Sequence, residues 1–166
     1  YTIFRQESLD ILVDEVIIKD CDLRTASKQL TANGSGGFSP YTYVWSSGNI
    51  SGQDNNIMTT STNDMYSITI TDSAGCSIQK SFNVDVPTIG TTDFNYSSFA
   101  FDNYNLLSIQ DPIQFTNLST GDIRGITWNF GDGSPTVNDE NPVYTYAKEG
   151  FYTITYTVQY EAGCTY

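Results

Sequence analysis

Three cysteines, no histidine and nineteen carboxylates are the groups with which this chain of 166 residues could do chemistry. Without histidine the commonest general base is missing. No Gly-x-Ser-x-Gly elbow is present to activate a serine, and nothing places two acids across a cleft as glycoside hydrolysis requires. An enzyme is therefore not expected. Cys21 and Cys76 fall in the first and last parts of one strand-rich stretch. A disulfide between them would close a loop of about 55 residues and contribute roughly 4 kcal/mol on the chain-entropy model. The alternative for the pair is two buried free thiols. Cys164 has no cysteine in its own half of the chain, so either its partner lies beyond Tyr166 or it is free. Asp132, Asp139 and Glu140 lie close in sequence and could supply oxygens to calcium, which takes six to eight of them. No EF-hand loop accompanies them, and the plainer role for Asp132 is a turn residue bonding nearby backbone N–H groups.

The elements that would carry these residues are strands. Trp128 and Phe130 share one face of an extended segment and can plug a small core, while Gly131-Asp132-Gly133 ends it in a tight reversal. Downstream, Tyr152, Ile154, Tyr156, Val158 and Tyr160 alternate with polar residues, the pattern of a half-buried strand. The earlier half repeats the plan. Tyr41, Tyr43 and Trp45 share a face, Tyr66, Ile68 and Ile70 share another, and Ile78–Val86 makes a last strand. The tract 46–63, rich in Ser, Gly, Asn, Asp and Thr, reads as a long surface loop. In the second half Phe94, Tyr96, Phe99 and Phe101 open a module, a loop follows at Asp102–Gln110, and Ile113 and Phe115 point inward. Trp45 corresponds to Trp128, the strand at Tyr66 to that at Tyr152, and Ala74-Gly75-Cys76 to Ala162-Gly163-Cys164. The exposed aromatics, Tyr41, Tyr43, Tyr144 and Tyr146 among them, could stack on sugars, although their i, i+2 spacing is also what a sandwich core requires.

The net charge of −12 argues against nucleic acid, which needs clustered Lys and Arg, and against an anionic lipid surface. No apolar run approaches the roughly 18 residues needed to span a bilayer. The chain opens inside strand-like sequence and reads as an excerpt from a longer polypeptide.

Trp128–Gly133, followed by Asn141-Pro142-Val143-Tyr144-Thr145-Tyr146 and by Gly150-Phe151-Tyr152-Thr153-Ile154-Thr155-Tyr156-Thr157-Val158, resembles the PKD (polycystic kidney disease) domain over residues 93–166. Gly36-Gly37-Phe38-Ser39-Pro40-Tyr41-Thr42-Tyr43-Val44-Trp45 and Tyr66-Ser67-Ile68-Thr69-Ile70-Thr71-Asp72-Ser73-Ala74-Gly75-Cys76 resemble the SprB repeat of flavobacterial surface adhesins. These resemblances imply an all-β chain of two tandem immunoglobulin-like β-sandwiches. The expected divisions are 1–14, the end of a preceding module or a linker strand; 15–87, SprB-like; 88–92, a linker; and 93–166, PKD-like. The motif residues Trp45, Trp128, Phe130, Gly131, Asp132, Gly133 and Tyr152 would be structural, with no cofactor beyond the calcium already weighed. By the same resemblance Asp72-Ser73-Ala74 looks like an O-glycosylation signal at Ser73. The implied role is that of a non-catalytic stalk and adhesion segment at the cell surface, exported by the type IX system. Its partners would be further modules of the same chain, the secretion and gliding machinery, and polysaccharide. A binding module of a secreted hydrolase is the alternative.

Overall fold

The computed structural model describes residues 7–98 and 111–166. The expected strand at Tyr1–Phe4, Phe99, Phe101 and the loop Asp102–Gln110 lie outside the described residues. The chain divides into two compact units. One comprises the chain up to Asp20 together with Thr25–Pro87; the other comprises Cys21–Arg24 and Thr88–Tyr166.

Among the described residues the first unit has seven strands: β1 (Asp10–Asp20), β2 (Thr25–Ser35), β3 (Thr42–Trp45), β4 (Asn49–Ser51), β5 (Ile57–Thr60), β6 (Asp64–Thr71) and β7 (Ser77–Val84). They form one sheet in the order β1-β2-β5-β4 and a second in the order β3-β6-β7. Alternation decides which side chains face inward. On β6, Tyr66, Ile68 and Ile70 are buried, and they meet Leu30 and Ala32 of β2, Met58 of β5 and Trp45 of β3 in one core. The core draws on both sheets, so the unit is a two-layer sandwich.

Three expectations change here. The polar tract 46–63 is not a loop throughout, because β4 and β5 complete the first sheet and Met58 is fully buried. β5 is only four residues long, and its Thr59 and Thr60 hide an alternating strand inside a composition typical of loops. β1 runs straight through the expected division at residue 14, with Ile11 in the core. Finally, residues 88–92, expected as a linker, are bonded into the second unit. Ile89 is buried and bridges Gly121, and Thr88 and Thr91 bond Asp122 and Thr120.

The second unit carries β8 (Phe94–Ser98), β9 (Ile113–Asn117), β10 (Ile123–Asn129), β11 (Val143–Tyr144) and β12 (Thr155–Tyr160). Among the described residues these make a sheet β11-β9-β8 and a pair β10-β12. Phe115, Trp128 and Phe130 are buried between them, with Phe94 edge-on to Trp128 at 5.2 Å. The strand expected from Tyr152 begins only at Thr155, because Tyr152 is occupied in the loop described below.

Both tryptophans are closed over in the same way. The Trp45 indole N–H donates to the Asn55 carbonyl at 3.0 Å, and that of Trp128 to the Asp139 carbonyl at 3.0 Å. A buried indole must place its N–H, and each unit does so with a loop returning ten or eleven residues later. Replacing Trp128, which is fully buried, with Ala should cost about 3–5 kcal/mol. Urea unfolding followed by circular dichroism would show the loss.

Candidate functional site

The Trp-Asn-Phe-Gly-Asp-Gly run and the tyrosines after it lock together in the second unit. β10 ends at Asn129, whose Oδ1 accepts the Gly131 N–H at 2.9 Å. Gly131 has φ 77°, and a Cβ there would lie 2.3 Å from the Thr153 carbonyl oxygen, so the position excludes any larger residue. Asp132 then turns back. Its Oδ1 accepts the Ser134 N–H at 3.0 Å and its Oδ2 accepts the Tyr144 hydroxyl at 2.5 Å. The Tyr144 ring stacks on Phe130 at 3.8 Å, the Tyr146 hydroxyl donates to the Phe130 carbonyl, and Tyr152 stacks on Tyr146 at 4.3 Å. Phe130, Asp132, Tyr144, Tyr146 and Tyr152 thus form one continuous tier. Asn141 adds a second tie by accepting the Asn117 N–H at 2.9 Å.

This tier has a defined charge state. The Tyr144 hydroxyl, followed by the Ser134 contacts, holds the Asp132 carboxyl below its ordinary value. Burial pushes Tyr146 up to about 12, with the Asp132 charge adding to the effect. Both oxygens of Asp132 are engaged by protein donors, and the Asp139 carbonyl is taken by Trp128. Among the described residues, no three Asp, Glu, His or Cys side chains converge where a metal ion could sit.

The cysteines depart from expectation. Cys21 is bonded to Cys164, not to Cys76, with Cα atoms 5.6 Å apart; Cys76 is free and exposed. The geometry of β1 explains the difference. The Asp72–Cys76 turn lies at the end of the hairpin that holds Leu9 and Gly37, where a Cβ on Gly37 would meet Asp72 Oδ2 at 2.7 Å and Leu9 Cδ1 at 3.3 Å. From there β1 runs eleven residues before Cys21, about 35 Å at strand rise. That is far beyond the roughly 7 Å that a disulfide tolerates between Cα atoms. Cys21–Arg24, the turn between β1 and β2, belongs to the second unit, where the Arg24 guanidinium covers the Tyr166 ring at 3.8 Å. Arg24 also donates to the Gly90 carbonyl, and the Tyr166 hydroxyl to that of Cys21.

The two cysteine turns are nevertheless built alike. In one, the Asp72 N–H donates to the Cys76 carbonyl at 2.9 Å and Gly75 back to Asp72 at 3.0 Å. In the other, Tyr160 donates to Cys164 at 2.9 Å and Gly163 to Tyr160 at 2.8 Å. Gly75 and Gly163 have φ of 86° and 85°. Asp72 itself is buried, and burial raises its pKa. The N–H groups of Cys76, Phe38 and Ala74 outweigh that and hold the carboxyl below its ordinary value. Ser73 is exposed, and its hydroxyl donates to the Phe38 and Ser39 carbonyls.

One open groove of about 290 Å³ lies in the second unit, lined by Asn117, Arg124, Asn138 and Glu140 among others. No motif pointed to it. Its residues are scattered over β9, β10 and the loop after Asp132, and none belongs to the aromatic pattern.

A two-layer sandwich with a Trp-plugged core and a Gly-Asp-Gly turn read by tyrosine is an immunoglobulin-like module. The family model of the PKD domain matches residues 107–166, so the second unit carries a PKD domain, an immunoglobulin-like module that is not catalytic. PKD domains are common in extracellular adhesion and accessory modules. No helix among the described residues is long and apolar enough to cross a membrane.

The Asp132 carboxyl sets an acid limb of stability. Its folded pKa lies below the unfolded value of about 3.9, so its contribution is fully present above that pH and is lost as the pH falls through the folded value. Asp132→Asn should therefore lower stability at neutral pH and flatten the decline below about pH 4. Urea midpoints measured from pH 7 to pH 2 would read both effects; an unchanged acid limb would remove Asp132 from this role.

Proposed function

We propose that this chain is a non-catalytic extracellular segment of a long cell-surface adhesin, in which the two units act as spacer and adhesion modules. The observation that carries the reading is the PKD domain at 107–166, in which Trp128, Phe130, Asp132, Tyr144, Tyr146 and Tyr152 are engaged in holding their own sandwich. The SprB-type reading of the first unit, the type IX export route and the gliding role extend the same proposal. In it, Ser73 is the glycan acceptor on an exposed turn. The disulfide fits an oxidising, exported setting, where small domains are commonly cross-linked.

A second reading, a carbohydrate-binding accessory module of a secreted hydrolase, is favoured by the groove at Asn117, Arg124, Asn138 and Glu140. Amide, guanidinium and carboxylate groups can all bond sugar hydroxyls. A glycan array probed with the purified chain separates the two readings. The spacer reading predicts no binding above background. Binding that Arg124→Ala and Glu140→Ala reduce at least tenfold would favour the accessory module.

A further inference from the structure

We infer that the Cys21–Cys164 bridge diverts tension around both units, so that a pull along the chain is carried without unfolding either of them. The bonded cysteines are 143 residues apart in sequence. The chain passes between the units at Asp20–Cys21, at Arg24–Thr25 and at Pro87–Thr88. Tension entering ahead of β1 runs along that strand to Cys21, crosses the sulfur–sulfur bond to Cys164 and leaves through Thr165 and Tyr166. Everything between the two cysteines hangs from this path as a closed loop. That loop holds β2 to β12, and so both cores except for Leu9 and the residues of β1.

β1 suits the part that stays in series. It is eleven residues of already extended backbone paired along its whole length with β2, so little slack remains to be drawn out. Its side of the bridge is fixed by the Tyr166 hydroxyl on the Cys21 carbonyl and by Arg24 over the Tyr166 ring. At the other side Cys164 is buried, and Tyr166 is paired by two backbone hydrogen bonds with Val158. The bridge is also a release point. A dithiol that reached it would supply two electrons and two protons, leave thiols on Cys21 and Cys164 and itself close to a disulfide. The freed loop could then extend by roughly 500 Å, taking 143 residues at full extension. The exposed Cys76 thiol lies off the path.

The inference rests on covalent connectivity and holds whether or not the segment is adhesive; a failure of the adhesin reading would leave the predicted extension unchanged. The test is single-molecule stretching of the whole chain, held at its two ends, in a Cys76→Ser background that prevents thiol exchange. Urea is added so that both units unfold while the molecule is held. Oxidised chains should lengthen only by what lies outside the bridge. The same molecules, after dithiothreitol, should lengthen by roughly 500 Å more. A Cys21→Ser/Cys164→Ser chain should give the long extension without reductant; should that variant not fold, reduction of the held wild-type pairing decides alone. Equal extension before and after reduction would overturn the inference, as would a Cys21–Cys76 cross-link in non-reducing peptide maps of the chain with all three cysteines.

Discussion

Each unit encloses one indole, and burying that indole obliges the chain to find a partner for its N–H. Both units meet the obligation with a main-chain carbonyl from the loop that follows the tryptophan strand, Asn55 for Trp45 and Asp139 for Trp128. Much follows from that pair of bonds. The loop after Trp45 must come back over the core, and it does so as β4, a single 3-10 turn and β5. The loop after Trp128 must also return, which brings Asn141 and Pro142 against β9 and delivers Tyr144 to Asp132 and Phe130. Phe94, Phe115 and Tyr156 all lie within 5.5 Å of Trp128 between centroids in the second unit's core.

The two halves share a plan but put it to different ends. Asp72 and Tyr160 occupy equivalent places in equivalent turns, each followed by a left-handed glycine and then a cysteine. In the first unit the turn is secured by the Asp72 carboxylate, which gathers three N–H groups, and its cysteine is left exposed. In the second the same place is a buried tyrosine whose hydroxyl reaches the Thr91 carbonyl, and the cysteine is buried in a covalent bond. A carboxylate in one copy and a disulfide in the other stabilise the same backbone shape.

Much of this was legible in the sequence because aromatic residues at a spacing of two leave little choice of fold. Trp128, Phe130, Val158 and Tyr160 are all fully buried, and Tyr66, Ile68 and Ile70 line one face of β6 as their alternation requires. The strand β5 was not legible, because Met58 is its one fully apolar inward residue and the threonines beside it serve loops as readily as strands. The disulfide is hidden from the sequence for a different reason. Pairing Cys21 with Cys76 assumes that the chain stays within one unit, whereas the β1–β2 turn belongs to the other. Sequence order carries no sign of a hairpin whose strands and turn are claimed by different cores. The groove at Asn117 and Glu140 is hidden for a third reason, since its residues have no periodicity and come together only where β9, β10 and the loop after Asp132 meet.

Both cores depend on their enclosed tryptophans, and exchange of the indole hydrogens reports on that enclosure directly. With nitrogen-15-labelled protein in deuterated water, the structure predicts two indole N–H signals that both persist far longer than that of free tryptophan. Trp128, wholly buried, should outlast Trp45, which is 7% exposed. Loss of either signal at the rate of an unprotected indole would mean that its ring stands open to water, and the two-core architecture would be wrong.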